Sequence, residues 1–214
     1  MGISLSVGIL HSVAGSDREG LRYHREAFTR LHEALAAQGI DWREPEPAES
    51  ADAPRHYAGF PARHLTHLRR SYVLHRWEEP VTPALTCDPA QYARDLRWIE
   101  DETSMLSSHL LCHSDTAGYY LPVDLDDPLF LPAGAGVDGG GIVGSSRRLL
   151  AELRSFAPAI GVRLDPDGTL GAEESARLAA HSPDDPFQAE AFAWLHLHLA
   201  CRASLASGHA VVLH

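Results

Sequence analysis

The two ends of the chain carry the pattern that most limits its fold. Residues 3–10 (ISLSVGIL) alternate Ile3, Leu5, Val7 and Ile9 with the small residues Ser4, Ser6 and Gly8, and residues 209–214 (HAVVLH) form a second short apolar run. A period of two marks a strand with one covered face, and an isolated strand cannot satisfy its own backbone hydrogen-bonding groups. Two such strands at opposite ends, with mostly helical periodicity between them, are reconciled by a shared sheet. The sequence therefore predicts one α+β domain over 1–214: helices packed on a small mixed sheet that contains both terminal strands. The other expected strands are 107–113 and 119–123, joined as a hairpin through Ser114–Gly118. At 214 residues and 44% hydrophobic, the chain is long enough to bury a full core without disulfides or structural metals.

Between the ends, helical spacing recurs. From Ser16 or Asp17, either able to cap, Leu21, Phe28, Leu31 and Leu35 predict a helix that stops at Gly39. Residues 44–56, rich in Pro, Glu and Ala, read as an exposed loop. Further helices are expected at 60–77, with Pro61 in the first turn, at 90–100 anchored by Trp98 and Ile99, and at 145–157, 172–181 and 186–207.

Composition excludes several chemistries. All eighteen cationic residues are arginine, and there is neither lysine nor asparagine. Schiff-base catalysis, protein-anchored pyridoxal phosphate and a Walker-type phosphate loop all need a lysine. A GC-rich bacterial coding sequence accounts for the bias. The three cysteines, Cys87, Cys112 and Cys201, are widely spaced and suit a reducing cytoplasm. No run approaches the roughly 18 apolar residues of a membrane span. MGISLS matches a myristoylation pattern, but Ile3–Leu10 reads better as a buried strand. Net charge is −11, with 12 Arg against 14 acidic residues in 1–100 and 6 against 15 in 101–214. Such a balance disfavours nucleic-acid phosphates and favours a cationic ligand, a metal ion or a basic protein.

The segment 107–150 holds the densest set of reactive side chains. His113 and Asp115 sit at the expected turn, as candidates for general acid/base chemistry and its orientation. Asp124 and Asp126, two apart on extended chain, point the same way and suit a hard divalent cation. Gly144, Ser145, Ser146 and Arg147, with Arg148, open a helix whose free amides and positive end suit a small anion. Gly139–Gly144 matches G-x-G-x-x-G, but no strand runs directly into its first glycine. His109 and His113 would lie about 13 Å apart on a strand, but one turn apart on a helix, where they could share zinc. His64 and His67 are geometrically able to chelate, whereas His196 and His198 point apart on their helix. Cys112 beside His113 reads as a buried thiol. Asp165–Thr169 is a D-G turn.

HSDTAGYYLPVDL followed by GSSRRLLAEL resembles a segment of uncharacterised bacterial proteins with an HSD-x-x-G-Y-Y turn before a glycine-rich helix start. The resemblance implies no activity, cofactor or site residue. Two functions fit the residues. One is a cytoplasmic enzyme or small-ligand binder for a polar or anionic substrate, with an unspecified cofactor or a divalent metal. The other is a non-catalytic acidic protein of the immunity or inhibitor type that neutralises a basic partner; it predicts a flat acidic face with exposed aromatics and no enclosed histidine, whereas the enzyme reading predicts a concave site with a histidine of perturbed pKa.

Overall fold

A computed structural model describes residues 2–47 and 52–214. Six strands, β1 (Gly2–Val7), β2 (His56–Pro61), β3 (Gly118–Leu121), β4 (Leu129–Phe130), β5 (Ile142–Ser145) and β6 (Val211–Leu213), form one sheet in the order β2-β1-β6-β3-β5-β4. Only β3 and β5 pair in parallel. The remaining pairs are antiparallel, with β1 and β3 both bonded to β6. Among the described residues eight α-helices accompany the sheet: α1 (Ile9–Ala14), α2 (Arg18–Ala36), α3 (Ala62–Arg76), α4 (Pro89–Thr103), α5 (His109–Cys112), α6 (Ser146–Phe156), α7 (Ala172–Ala179) and α8 (Gln188–Ser207). The expected α+β class and both terminal strands are present.

Strand alternation divides the core in two. Ile3, Leu5, Val7, Tyr120, Val211 and Leu213 face the helices α3, α6 and α8. Tyr119, Leu121, Val143 and Val212 face Phe28, Leu31 and Leu35 of α2 on the opposite side. Asp17 caps α2 as expected, its carboxylate accepting from Gly20 N at 2.9 Å. Helix α8 is apolar nearly all round because it is enclosed. Its Trp194 is fully buried and donates to Leu153 O at 2.7 Å, so the indole N–H is not left unpaired.

Four expectations need correction. The first strand ends at Val7, because Gly8 adopts φ 75° and turns the chain into α1, which takes Ile9 and Leu10. Residues 107–113 are not a strand: Ser108 Oγ accepts from Leu111 N, and both Glu152 oxygens accept from His109 N and Leu110 N, at 2.8 and 2.7 Å. Those three bonds cap a helical turn, and no hairpin forms. Strand β2 covers 56–61, paired along β1 from Val7–His56 to Gly2–Pro61, where a loop and a helix start were expected. Within the expected loop 44–56, Glu44 is buried, its carboxylate bonding His209 Nδ1 at 2.7 Å and Ala210 N at 2.8 Å. Residues 48–51 of that loop lie outside the described residues.

Helices α3 and α4 run in the same direction. The contacts His67–Tyr92, Arg70–Asp95 and Trp77–Glu102 advance together along both. Arg70 and Asp95 are buried and paired at 2.7 Å, and the guanidinium also donates to Thr82 O, Thr82 Oγ1 and Cys87 Sγ on the connecting loop. A guanidinium with all three nitrogens engaged fixes three segments at once.

Stability should fall steeply in acid. Burial lowers the pKa of His56, His64, His113 and His198 to about 4. Each binds its proton more weakly folded than unfolded, so its contribution is present above pH 6.5 and is lost as pH falls towards 4. Burial raises Glu44, Glu152 and Glu190, with Glu152 at about 7, and these oppose the loss. At about 1.4 kcal/mol per unit for each group, the histidines dominate. Urea unfolding between pH 7.5 and 4.5 should show a loss of several kcal/mol; a flat profile would contradict the burial of these rings. Glu44→Ala leaves His209 Nδ1 and Ala210 N unsatisfied in the core and should cost about 3 kcal/mol, lowering Tm by roughly 10 °C in a chain of this size.

Candidate functional site

The reactive residues of the central segment do gather, around the ring of Tyr120. His113 stacks on that ring at 4.0 Å between centroids. The Tyr120 hydroxyl donates to His109 O at 3.1 Å. Gly144 lies against the ring so closely that a Cβ there would sit 2.2 Å from Cδ1. His109 Nδ1 accepts from Ser145 N at 3.0 Å, and Ser145 Oγ donates to Val123 O at 2.6 Å while capping α6 through Arg148 N. Each residue is held by another residue of the same cluster.

That packing decides what the cluster can do. The ring nitrogens of buried His113 face the carbonyls of Ser114 at 3.0 Å and Tyr119 at 3.1 Å, leaving neither directed at a substrate. Asp115 is engaged by Arg69, whose guanidinium also donates to Leu110 O and His113 O. Asp124 and Asp126 share Arg148, at 2.7 and 2.5 Å. No group of three or more His, Cys, Asp or Glu able to hold a metal occurs among the described residues. Ser146 Oγ bonds Ser204 Oγ at 2.8 Å in the core. Gly144 thus serves ring packing, and the Ser145 amide that an anion would need is occupied by His109. Arg147 points elsewhere, into an open cleft of about 470 Å³ with Arg154 and Arg202 between α6 and α8. His64 and His67 do not meet on one ligand: His64 lies against His181, and His67 Nδ1 is 2.9 Å from the Tyr92 hydroxyl.

Surface charge is the second feature. Many carboxylates are neutralised within the fold, as Glu174 is by Arg163 and Arg177, which hold its pKa down at about 2. Others are exposed with no side-chain partner among the described residues: Glu26, Glu33, Asp41 and Asp52 in the first quarter of the chain, Glu78, Glu79, Glu100 and Asp101 around the ends of α3 and α4, and Glu173 and Asp184 beyond. Glu100 and Asp101 occupy the last turn of α4, where the helix dipole already places negative charge. Carboxylates there cost about 0.3–1 kcal/mol each relative to neutral residues. Exposed large apolar side chains concentrate nearby, with Trp77 at 41%, Met105 at 69% and Leu106 at 50%.

A family model described as "Putative DNA-mimic protein" matches residues 1–213. This chain belongs to that DNA-mimic family. Comparison with curated proteins and with solved structures found no match. Sequence reading ranked the histidines first because it could not show which acids would be paired. No helix among the described residues is long and apolar enough to cross a membrane.

The roles of two of the four glycines in the 139–144 motif, Gly140 and Gly144, can be separated by substitution. Gly144→Ala collides with Tyr120 and should destabilise by about 1–3 kcal/mol. Gly140→Ala faces open space and bears only the strain of φ 70°, about 1 kcal/mol. Thermal unfolding of the two variants should rank them in that order.

Proposed function

We propose that this protein is a non-catalytic acidic decoy that occupies the DNA-binding surface of a basic protein. The match to the DNA-mimic family over nearly the whole chain carries this reading, and the surplus of acidic over basic residues, a net charge of −11, supports it. Proteins that hold DNA present arginine and lysine to a phosphate backbone, with one charge per roughly 1.7 Å of duplex axis. A folded chain whose carboxylates stand unpaired at its surface offers those cations an alternative anion. Its averaged charge is far below that of a duplex, so the substitution works where carboxylates are locally concentrated and apolar contact adds to them. The expected cytoplasmic location would place it with such partners.

Displacement tests this directly. Fluorescein-labelled duplexes are bound to a helix-turn-helix repressor, a minor-groove architectural protein and a zinc-finger domain, and the acidic protein is titrated in at 50 and 200 mM salt. At least one DNA complex should dissociate, with weaker competition at the higher salt, and the labelled duplexes alone should show no binding. Failure to displace DNA from any of the three at micromolar concentration would overturn the reading.

A further inference from the structure

We infer that the DNA-mimicking face is the corner where α3 and α4 end, and that it receives the DNA-binding surface of a basic protein on an apolar centre with a carboxylate rim. This rests on the proposed function and specifies its site. The centre is Trp77, Met105 and Leu106, three of the seven exposed large hydrophobic side chains of the described residues. Trp77 is not loose: its ring lies 5.0 Å from that of Trp98, and its indole N–H donates to Glu102 Oε2 at 3.0 Å. Trp98 continues into a cavity of about 290 Å³ that it lines with Leu74, Pro80, Thr82, Glu79 and Arg94. A rigid aromatic held beside a recess is the usual form of an interface anchor.

The rim selects the partner. Glu78 and Glu79 follow α3, and Glu100 and Asp101 close α4, all exposed and without side-chain partners among the described residues. Because the two helices are parallel, both negative dipole ends also arrive at this corner. Arg76 is held by Glu102 at 2.7 Å. Arg97 and Arg94, about one and two turns back along α4, form no ion pair with these carboxylates. Carboxylates in the last turn of a helix work against folding, so a sequence that keeps them there is locally inconsistent with its own stability. The chemistry that resolves the conflict is an incoming cation, and an arginine-rich surface supplies it together with stacking on Trp77.

The prediction is a change of binding without loss of folding. The variant Glu78→Gln/Glu79→Gln/Glu100→Gln/Asp101→Asn should compete at least tenfold more weakly, at 100 mM salt, against the DNA complex that the parent dissociates best. Its Tm should equal or exceed the parent's, since the helix ends are relieved. Met105→Ser/Leu106→Asn should likewise lose competition without losing Tm, as both side chains are exposed and Leu106 sits at φ 56°, which Asn tolerates better. The control Glu26→Gln/Glu33→Gln/Asp41→Asn/Asp52→Asn removes the same number of carboxylates elsewhere and should change competition less than twofold. If the control weakens competition as much as the corner variant, or the corner variants compete like the parent, this face is wrong while the mimicry reading stands. If the parent dissociates no complex, both fall.

Discussion

The buried pair of Arg70 with Asp95 is the contact on which the accessible part of the molecule depends. An ion pair removed from water is stabilising only when its remaining hydrogen-bonding capacity is met. Here the Thr82 carbonyl, the Thr82 hydroxyl and the Cys87 sulfur meet it. The geometry has a directional outcome: because the loop 77–88 is drawn back along both helices, α4 starts beside the start of α3 and the two end together. An antiparallel pair would have set one dipole against the other. The parallel pair adds them.

That addition gives the protein two regions with opposite electrostatic character. Around Tyr120 the polar groups turn inward and consume one another, through Arg69 with Asp115, Ser145 with His109 and Arg148 with Asp124 and Asp126. At the corner of α3 and α4 the charges are left facing water. Partner binding requires groups whose hydrogen-bonding capacity is still unspent, and the second region, poorer in histidine and glycine, retains such groups. Belonging to a DNA-mimic family is consistent with a body built to hold such a surface rigid.

How much of this was legible depended on how local the cause was. Asp17 capping α2, Trp98 and Ile99 anchoring α4, and the alternation of Ile3, Leu5 and Val7 are short-range signals, and each appears in the structure where the sequence places it. Strand β2 was hidden because HYAGFP alternates His56, Ala58 and Phe60 weakly and ends in a proline that also begins α3. The turn at 109–112 was misread as a strand because its cap, Glu152, comes from more than forty residues away. Two residues of the expected site proved close in space, His113 and Gly144 each lying against the ring of Tyr120, but proximity did not reveal that packing would leave His113 no free nitrogen. Whether a carboxylate is paired is likewise a property of the folded surface, which is why the acidic surplus could be counted but not located.

Strand β6 follows the other five described strands in the chain and yet lies between β1 and β3, in the middle of the sheet. During synthesis, therefore, β1 with its partner β2 and the parallel unit of β3 and β5 wait as two separate half-sheets, each with an open edge. They join only when Val211, Val212 and Leu213 slot between them and Glu44 closes over His209 and Ala210. Contacts that span nearly the whole chain are slow to form. A ribosome that has not yet reached Val211 carries helices and half-sheets, but no joined sheet.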